Sequence, residues 1–168
     1  MKRLQLLAAV AAAMLGSTAV TGAVQAQEAV TPAADIDALF TSPNPKQQVN
    51  KQAAYHIMKD LLEANHWELA GKYLTDRYVQ HNPNAASGLA GVVYYFTQVR
   101  KTTPTPIPAK LSTPVVSVTA EGDLVIVSRV RVLKDPKDAT KTYTTTWFDM
   151  WRFKDGKADE HWDGAEKP

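Results

Sequence analysis

The hydrophobic pattern of the chain changes near residue 110 from a helical repeat to a strand repeat. Before that point, apolar residues recur at intervals of three and four, which is typical of amphipathic helices. The spacing predicts a first helix from Lys46, a shorter second helix capped by Asn65, and a third helix beginning near Ser87. Three prolines between residues 104 and 108 end the helical part of the chain.

After that point, apolar and polar residues alternate, which predicts β-strands. Short turns separate four such segments: 114–120, 124–133, 140–153 and 158–163. Turns this short join antiparallel neighbours, so the segments form a meander. An extended stretch over 78–82 could add a strand at the sheet edge. The order predicts an α+β fold, with three N-terminal helices packed on one face of a curved antiparallel sheet.

The first 26 residues have the three parts of a secretory signal peptide. Lys2 and Arg3 give a positive start, an apolar run follows from Leu6 to Leu15, and small residues lead to Ala26. The apolar run is rich in alanine and shorter than the ~20 residues of a membrane span. We therefore expect cleavage after Ala26 and export, to the periplasm of a bacterium, with no membrane association after cleavage.

Composition limits the function of the remaining 142 residues. They carry 17 basic and 17 acidic side chains and no cysteine. A neutral balance does not favour nucleic acid as a partner. The absence of cysteine excludes disulfides and thiol chemistry. Residues 27–45, which hold three prolines, are predicted to form a flexible arm before a domain at 46–168.

The strand predicted over 140–153 carries an unusual face. Alternation places five aromatic or hydroxyl side chains and one carboxylate together: Tyr143, Thr145, Trp147, Asp149, Trp151 and Phe153. An ionised carboxylate among rings needs a partner or a shifted pKa. Asp149 could therefore be an acid/base group, or it could only hold a backbone amide or Arg129.

A hairpin turning at Asp155-Gly156 would place residues 147–151 opposite roughly 159–163. Asp149 would then lie close to His161 and Asp163, with His81 as a further candidate near the same mouth. A carboxylate beside an imidazole is suited to proton transfer near neutral pH. The structural alternative is an exposed pair at the strand end, with His81 only fixing its loop.

Other site chemistries lack their motifs. HExxH, a glycine-rich phosphate loop and GxSxG are all missing, and the four histidines are scattered. The sequence therefore predicts no metal ion and no cofactor.

Two segments resemble a known family: YVQHNPNAASGLAGVVYYF (78–96) and FDMWRFKDGKADEHWD (148–163). They are similar to the SnoaL-like polyketide cyclase group of the nuclear transport factor two-like superfamily. They are most similar to its subgroup of predicted aldol-condensation-catalysing proteins. The resemblance spans about residues 46–163. It implies a cone-shaped, cystatin-like fold around a deep pocket, and a homodimer formed through the outer face of the sheet.

The resemblance implies catalytic roles for Asp149, His161, Asp163 and His81, with Asn82 beside them. We expect an enzyme that removes a proton next to a carbonyl group without a cofactor. Asp149 or Asp163 would be the base, while His81 and Asn82 would stabilise the enolate. The alternative is a binding protein that holds a small hydrophobic or aromatic ligand unchanged. Its ligand-binding residues would be Asn82, Tyr143, Trp147, Trp151 and Arg129.

Overall fold

The computed structural model describes residues 27–167, so the predicted signal peptide lies outside the described residues. The elements, in chain order, are α1 (Ile36–Leu39), α2 (Pro45–His56) with a π-helical continuation (Ile57–Glu63), a 3₁₀ turn (Trp67–Leu69), α3 (Ala70–Tyr73), β1 (Leu74–Gln80), α4 (Leu89–Tyr94) with a π-helical continuation (Tyr95–Val99), β2 (Val115–Glu121), β3 (Leu124–Lys134), β4 (Thr142–Lys154) and β5 (Lys157–Asp163).

The predicted flexible arm, residues 27–45, packs more closely than we expected. Phe40 is fully buried in the core, and Ala33 N donates to Val115 O on β2. The Asp35 carboxylate caps the short helix α1. Burial of Phe40 and the backbone hydrogen bond to β2 therefore dock a segment whose composition is otherwise typical of a linker.

The first two predicted helices differ in how regular they are. Asn44 caps α2 with its side-chain oxygen, and the helix then widens, so that Ala64 N donates to Lys59 O five residues earlier. The predicted second helix is reduced to a 3₁₀ turn and the four residues of α3. Asn65 is not its cap, because Asn65 has a positive φ of 63° and connects the two segments.

The sheet has the order β1-β5-β4-β3-β2. The last four strands form the predicted antiparallel meander. The strand expected from the extended stretch does lie at the edge, but it begins at Leu74 and pairs parallel with β5. The sheet is therefore mixed rather than wholly antiparallel.

The hairpin between β4 and β5 determines which β5 side chains face the core. Asp155 and Gly156 both have positive φ, as a two-residue hairpin turn requires. The register then shifts by one residue, so that Arg152 pairs with Glu160 although Phe153 pairs with Ala158. This β-bulge leaves Asp159 as the extra residue.

The core lies between the helices and the inner face of the sheet. Its largest fully buried side chains include Trp151, Phe40, Met58 and Leu61. Within residues 27–167, no helix is both long and apolar enough to cross a membrane.

Candidate active site

A pocket of about 410 Å³ lies between the helices and the inner face of the sheet. Both π-helical segments contribute to its wall, through Leu61 and Phe96 among others. The volume suits a small organic molecule. Its polar lining residues include Gln80, Asn82, Arg129, Asp149, His161 and Asp163, and its aromatic ones include Trp67, Tyr78, Phe96, Trp147 and Trp151.

Asp149 is the most buried acid of this pocket, with 4% of its surface exposed. One carboxylate oxygen, Oδ1, lies 3.2 Å from His161 Nε2, and the other accepts from Arg129 Nε at 3.2 Å. Burial alone would raise the pKa of Asp149. The hydrogen bond and charge of His161, together with the charge of Arg129, outweigh that effect and hold the pKa below its usual value. Asp149 is therefore a carboxylate at neutral pH.

His161 is 6% exposed and is held at both ring nitrogens. Nδ1 lies 2.9 Å from Gln80 Oε1, which also accepts the backbone N–H of Asn82. Because a backbone N–H can only donate, that Gln80 atom is the oxygen, and His161 Nδ1 carries a proton. The remaining nitrogen, Nε2, faces Asp149. Gln80 thus orients the imidazole and assigns its proton.

Asp163 lies next to this pair and is only half-buried. One oxygen accepts from Asn82 Nδ2 at 2.8 Å, and the other accepts from Ala165 N at 2.9 Å. One polar atom each of Asp149, His161 and Asp163 lies within 4.8 Å of the others. The three could offer ligands to a cation, but the Arg129 guanidinium on Asp149 repels one. The arrangement suits proton transfer better than metal binding.

Aromatic side chains close the pocket beside these groups. Trp151 is fully buried and donates from Nε1 to the Tyr78 hydroxyl at 3.2 Å. Burial raises the pKa of Tyr78, so its phenol remains protonated at neutral pH. Trp147 lies under the guanidinium groups of Arg129 and Arg131, at 5.6 and 4.7 Å from its ring centre.

Two of the predicted site residues are placed elsewhere. His81 Nε2 donates to Glu160 Oε1 at 2.9 Å, and the imidazole stacks on the Trp162 ring with 5.0 Å between ring centres. It therefore does not line the pocket, because its strand position faces the opposite side from Gln80 and Asn82. Tyr143 is 39% exposed and lies beyond the pocket, near the start of β4. The structure brings together the other seven: Asn82, Arg129, Trp147, Asp149, Trp151, His161 and Asp163.

The sequence analysis missed Tyr78, Gln80 and Arg131, although each had a signal. Tyr78, Gln80 and Asn82 are every second residue of the chain, which places them on one face of an extended segment. Arg131 likewise follows Arg129 on the same face of β3.

The SnoaL-like domain family model matches residues 53–161. The chain therefore belongs to the SnoaL-like domain family. Its α+β fold, with helices on a five-stranded sheet, is the nuclear transport factor two-like, or cystatin-like, fold predicted from the resemblance.

Solved structures agree with this fold. A candidate polyketide cyclase from Acidithiobacillus ferrooxidans is similar with a TM-score of 0.50 and 16% identity, over 73% of this chain and 89% of that one. A candidate SnoaL-like polyketide cyclase from Jannaschia sp. CCS1 is similar with a TM-score of 0.51 and 13% identity, over 74% of this chain and 91% of that one. Curated proteins offer no significant sequence match. At these identities the structures support the fold alone.

Proposed function

We propose that this protein catalyses cofactor-free proton transfer on a small hydrophobic carbonyl compound. The product would be that of an aldol-type condensation, a cyclisation or an isomerisation. The observation that carries the proposal is the Asp149–His161 pair at the wall of a pocket lined in part by aromatic side chains, with one Asp163 oxygen within 4.8 Å.

Asp163 is the better base of the two carboxylates. Asp149 is engaged by His161 and Arg129, and its lowered pKa makes it a weak proton acceptor. Asp163 accepts only from neutral donors, the Asn82 amide and the Ala165 N–H. Asp163 would take the proton from the carbon next to the carbonyl, and the electrons of that C–H bond would form the enolate.

The enolate oxygen needs a donor where its charge develops. The Tyr78 phenol, which lines the pocket and whose oxygen accepts from Trp151 Nε1, can donate its own proton there, whereas both ring nitrogens of His161 are engaged by Gln80 and Asp149. The enolate carbon then takes back a proton, which gives isomerisation, or attacks a second carbonyl carbon to form a C–C bond.

Deuterium exchange tests this chemistry without the natural substrate. The probe is 2-tetralone, a bicyclic ketone with acidic protons beside its carbonyl, followed by NMR in D₂O. The protein should accelerate exchange, and Asp149→Asn and Asp163→Asn should each lower that rate by about tenfold or more. Asp76→Asn is the control, because Asp76 is exposed and does not line the pocket. Unchanged exchange in both pocket variants would remove the mechanism.

The aromatic walls also fit a second function, the binding of an aromatic molecule without chemistry. The rings of Trp67 and Phe96 stack with 3.8 Å between their centres, and Trp147 and Trp151 line the pocket from β4. In that case, affinity for a neutral aromatic ligand should survive loss of the carboxylates and fall on loss of Trp147, and the protein should not accelerate exchange.

We also propose that the protein is exported to the periplasm with removal of residues 1–26. The support is the positive, apolar and small-residue pattern of that segment. Cell fractionation followed by intact-mass measurement should find a periplasmic protein beginning at Gln27. A cytoplasmic protein that retains Met1 would contradict this.

A homodimer through the outer face of the sheet is the third part of the proposal. Phe148 and Val132 are 55% and 62% exposed there, beside Ile126, Met150 and Trp162. A second copy of the chain would bury this apolar surface. Light scattering should give a dimer, and Phe148→Asp should give a monomer.

A further inference from the structure

The charges of the pocket do not balance. Arg100, Arg129 and Arg131 line it, against the carboxylates of Asp149 and Asp163. Within residues 27–167, only Arg129 of these three forms an ion pair, with Asp149. Asp163 is bound by neutral donors. Two guanidinium groups therefore remain available at the pocket, before any charge on His161 is counted.

Arg131 is also held in place rather than spread into solvent. Its guanidinium lies 4.7 Å from the centre of the Trp147 ring, a distance typical of a cation–π contact. Trp147 in turn lines the pocket, and Arg131 is exposed at its edge. The N–H donors of the Arg131 guanidinium are therefore oriented at the boundary between the apolar pocket wall and water.

A guanidinium group beside an aromatic wall is the combination that binds an amphipathic anion. A planar guanidinium recognises a carboxylate through paired N–H donors. Aromatic side chains beside the guanidinium can stack on the rings of the same ligand. A neutral hydrophobic ligand would make no use of the Arg131 guanidinium at the edge of the pocket.

We propose that the ligand of this pocket is an aromatic or polycyclic compound that bears a carboxylate. The carboxylate binds at Arg131, and the ring body lies along Trp147 towards Tyr78 and Trp151. This inference names the substrate class for the proposed function and rests on it. It concerns binding, so it can be tested without turnover.

Isothermal titration with a matched pair of probes tests it. 2-Naphthoate and methyl 2-naphthoate share one ring body and differ in the charge. We expect the acid to bind about tenfold tighter than the ester. Arg131→Gln should remove that preference by weakening the acid alone. Lys134→Gln is the matched control, because it removes a positive charge from the same strand at a residue that does not line the pocket.

Two further readouts keep the test decisive. In the unaltered protein, about 0.5 M NaCl should weaken the acid and not the ester, which requires no variant to fold. Arg131→Lys should retain part of the preference, because it keeps the charge and loses the planar fork. Equal affinity for acid and ester, insensitivity to Arg131→Gln, or no binding of either probe would overturn the inference. Deuterium exchange on neutral 2-tetralone tests the catalytic role of Asp149 and Asp163 and does not depend on Arg131. The proposed function and the proposed ligand class can therefore fail independently.

Discussion

Asp149 on β4 lies directly opposite Asp163 on β5, and a bulge at Asp159 is the cause. After the two-residue turn, an unbroken ladder would pair Asp149 with Trp162 and turn His161 away from the pocket. The extra residue reverses the side-chain alternation of β5. It therefore places His161 and Asp163 inside and Glu160 and Trp162 outside.

The bulge is held from the neighbouring strand. Asp159 is 6% exposed, and its carboxylate accepts from Thr75 Oγ1 at 2.6 Å and pairs with the Arg77 guanidinium. The hydrogen bonds of Arg77 and Thr75 lower the pKa of Asp159. Both partners lie on β1, so this contact also joins the edge strand to the site.

Replacing Asp159 by Ala should therefore affect both stability and exchange. We expect a loss of about 1–3 kcal/mol in the free energy of unfolding, measured in urea, because a charged hydrogen-bond acceptor is removed. The exchange rate on 2-tetralone should fall as well, since the register of His161 and Asp163 is loosened. Arg77→Gln is the control, because it leaves the Thr75 contact and should cost less. Unchanged exchange would show that the bulge does not depend on Asp159.

Gln80 is a positioning residue, and its variants should separate orientation from packing. Gln80→Leu removes the acceptor at His161 Nδ1 and should lower the exchange rate by about tenfold. Gln80→Glu keeps an acceptor oxygen and should retain more activity, with its pH profile displaced upward because a second carboxylate favours the imidazolium. A purely structural role would lower the rate in both variants without moving the pH profile.

The lowered pKa of Asp149 predicts the direction of an acid effect on stability. The unfolded chain binds a proton at this carboxyl near its ordinary pKa of about 3.9, whereas the folded chain binds it only at lower pH. The contribution of Asp149 is therefore present above that value and is lost as pH falls through the folded pKa.

Urea unfolding of the unaltered protein and Asp149→Asn measures this contribution. The difference between their free energies of unfolding should be largest at about pH 5–7 and should shrink below about pH 4. Asp76→Asn should show no such difference, since Asp76 is exposed. If the difference in free energy of unfolding did not change with pH, the lowered pKa of Asp149 would be contradicted.

The sequence predicted the first and third helices, the meander and the inner face of β4 because each depends on local periodicity. Trp147, Asp149 and Trp151 share that face as alternation requires. Tyr143 follows the same alternation but lies beyond the pocket, because alternation gives a face and not a depth. The family was indicated by the residues of two segments, 78–96 and 148–163, and the match of the SnoaL-like domain model confirms it.

The side on which His81 lies could also have been predicted. It alternates with Gln80 and Asn82, so the three cannot share one face of an extended segment. The β5 register could not have been predicted, because the bulge depends on Asp159 meeting Thr75 and Arg77 from β1. That contact joins residues more than 80 positions apart. A hairpin pattern alone contains no information about it.

Trp147 and Trp162 lie on opposite faces of the sheet, and their variants test on which face ligands bind. Trp147 lines the pocket from β4, whereas Trp162 on β5 stacks with His81 outside it. Trp147→Leu should lower the affinity for methyl 2-naphthoate by about tenfold, because an aromatic ring loses its stacking surface. Trp162→Leu removes the same side chain from the outer face and should leave that affinity unchanged. Equal losses in both variants, measured by isothermal titration, would contradict binding of the neutral probe in the pocket.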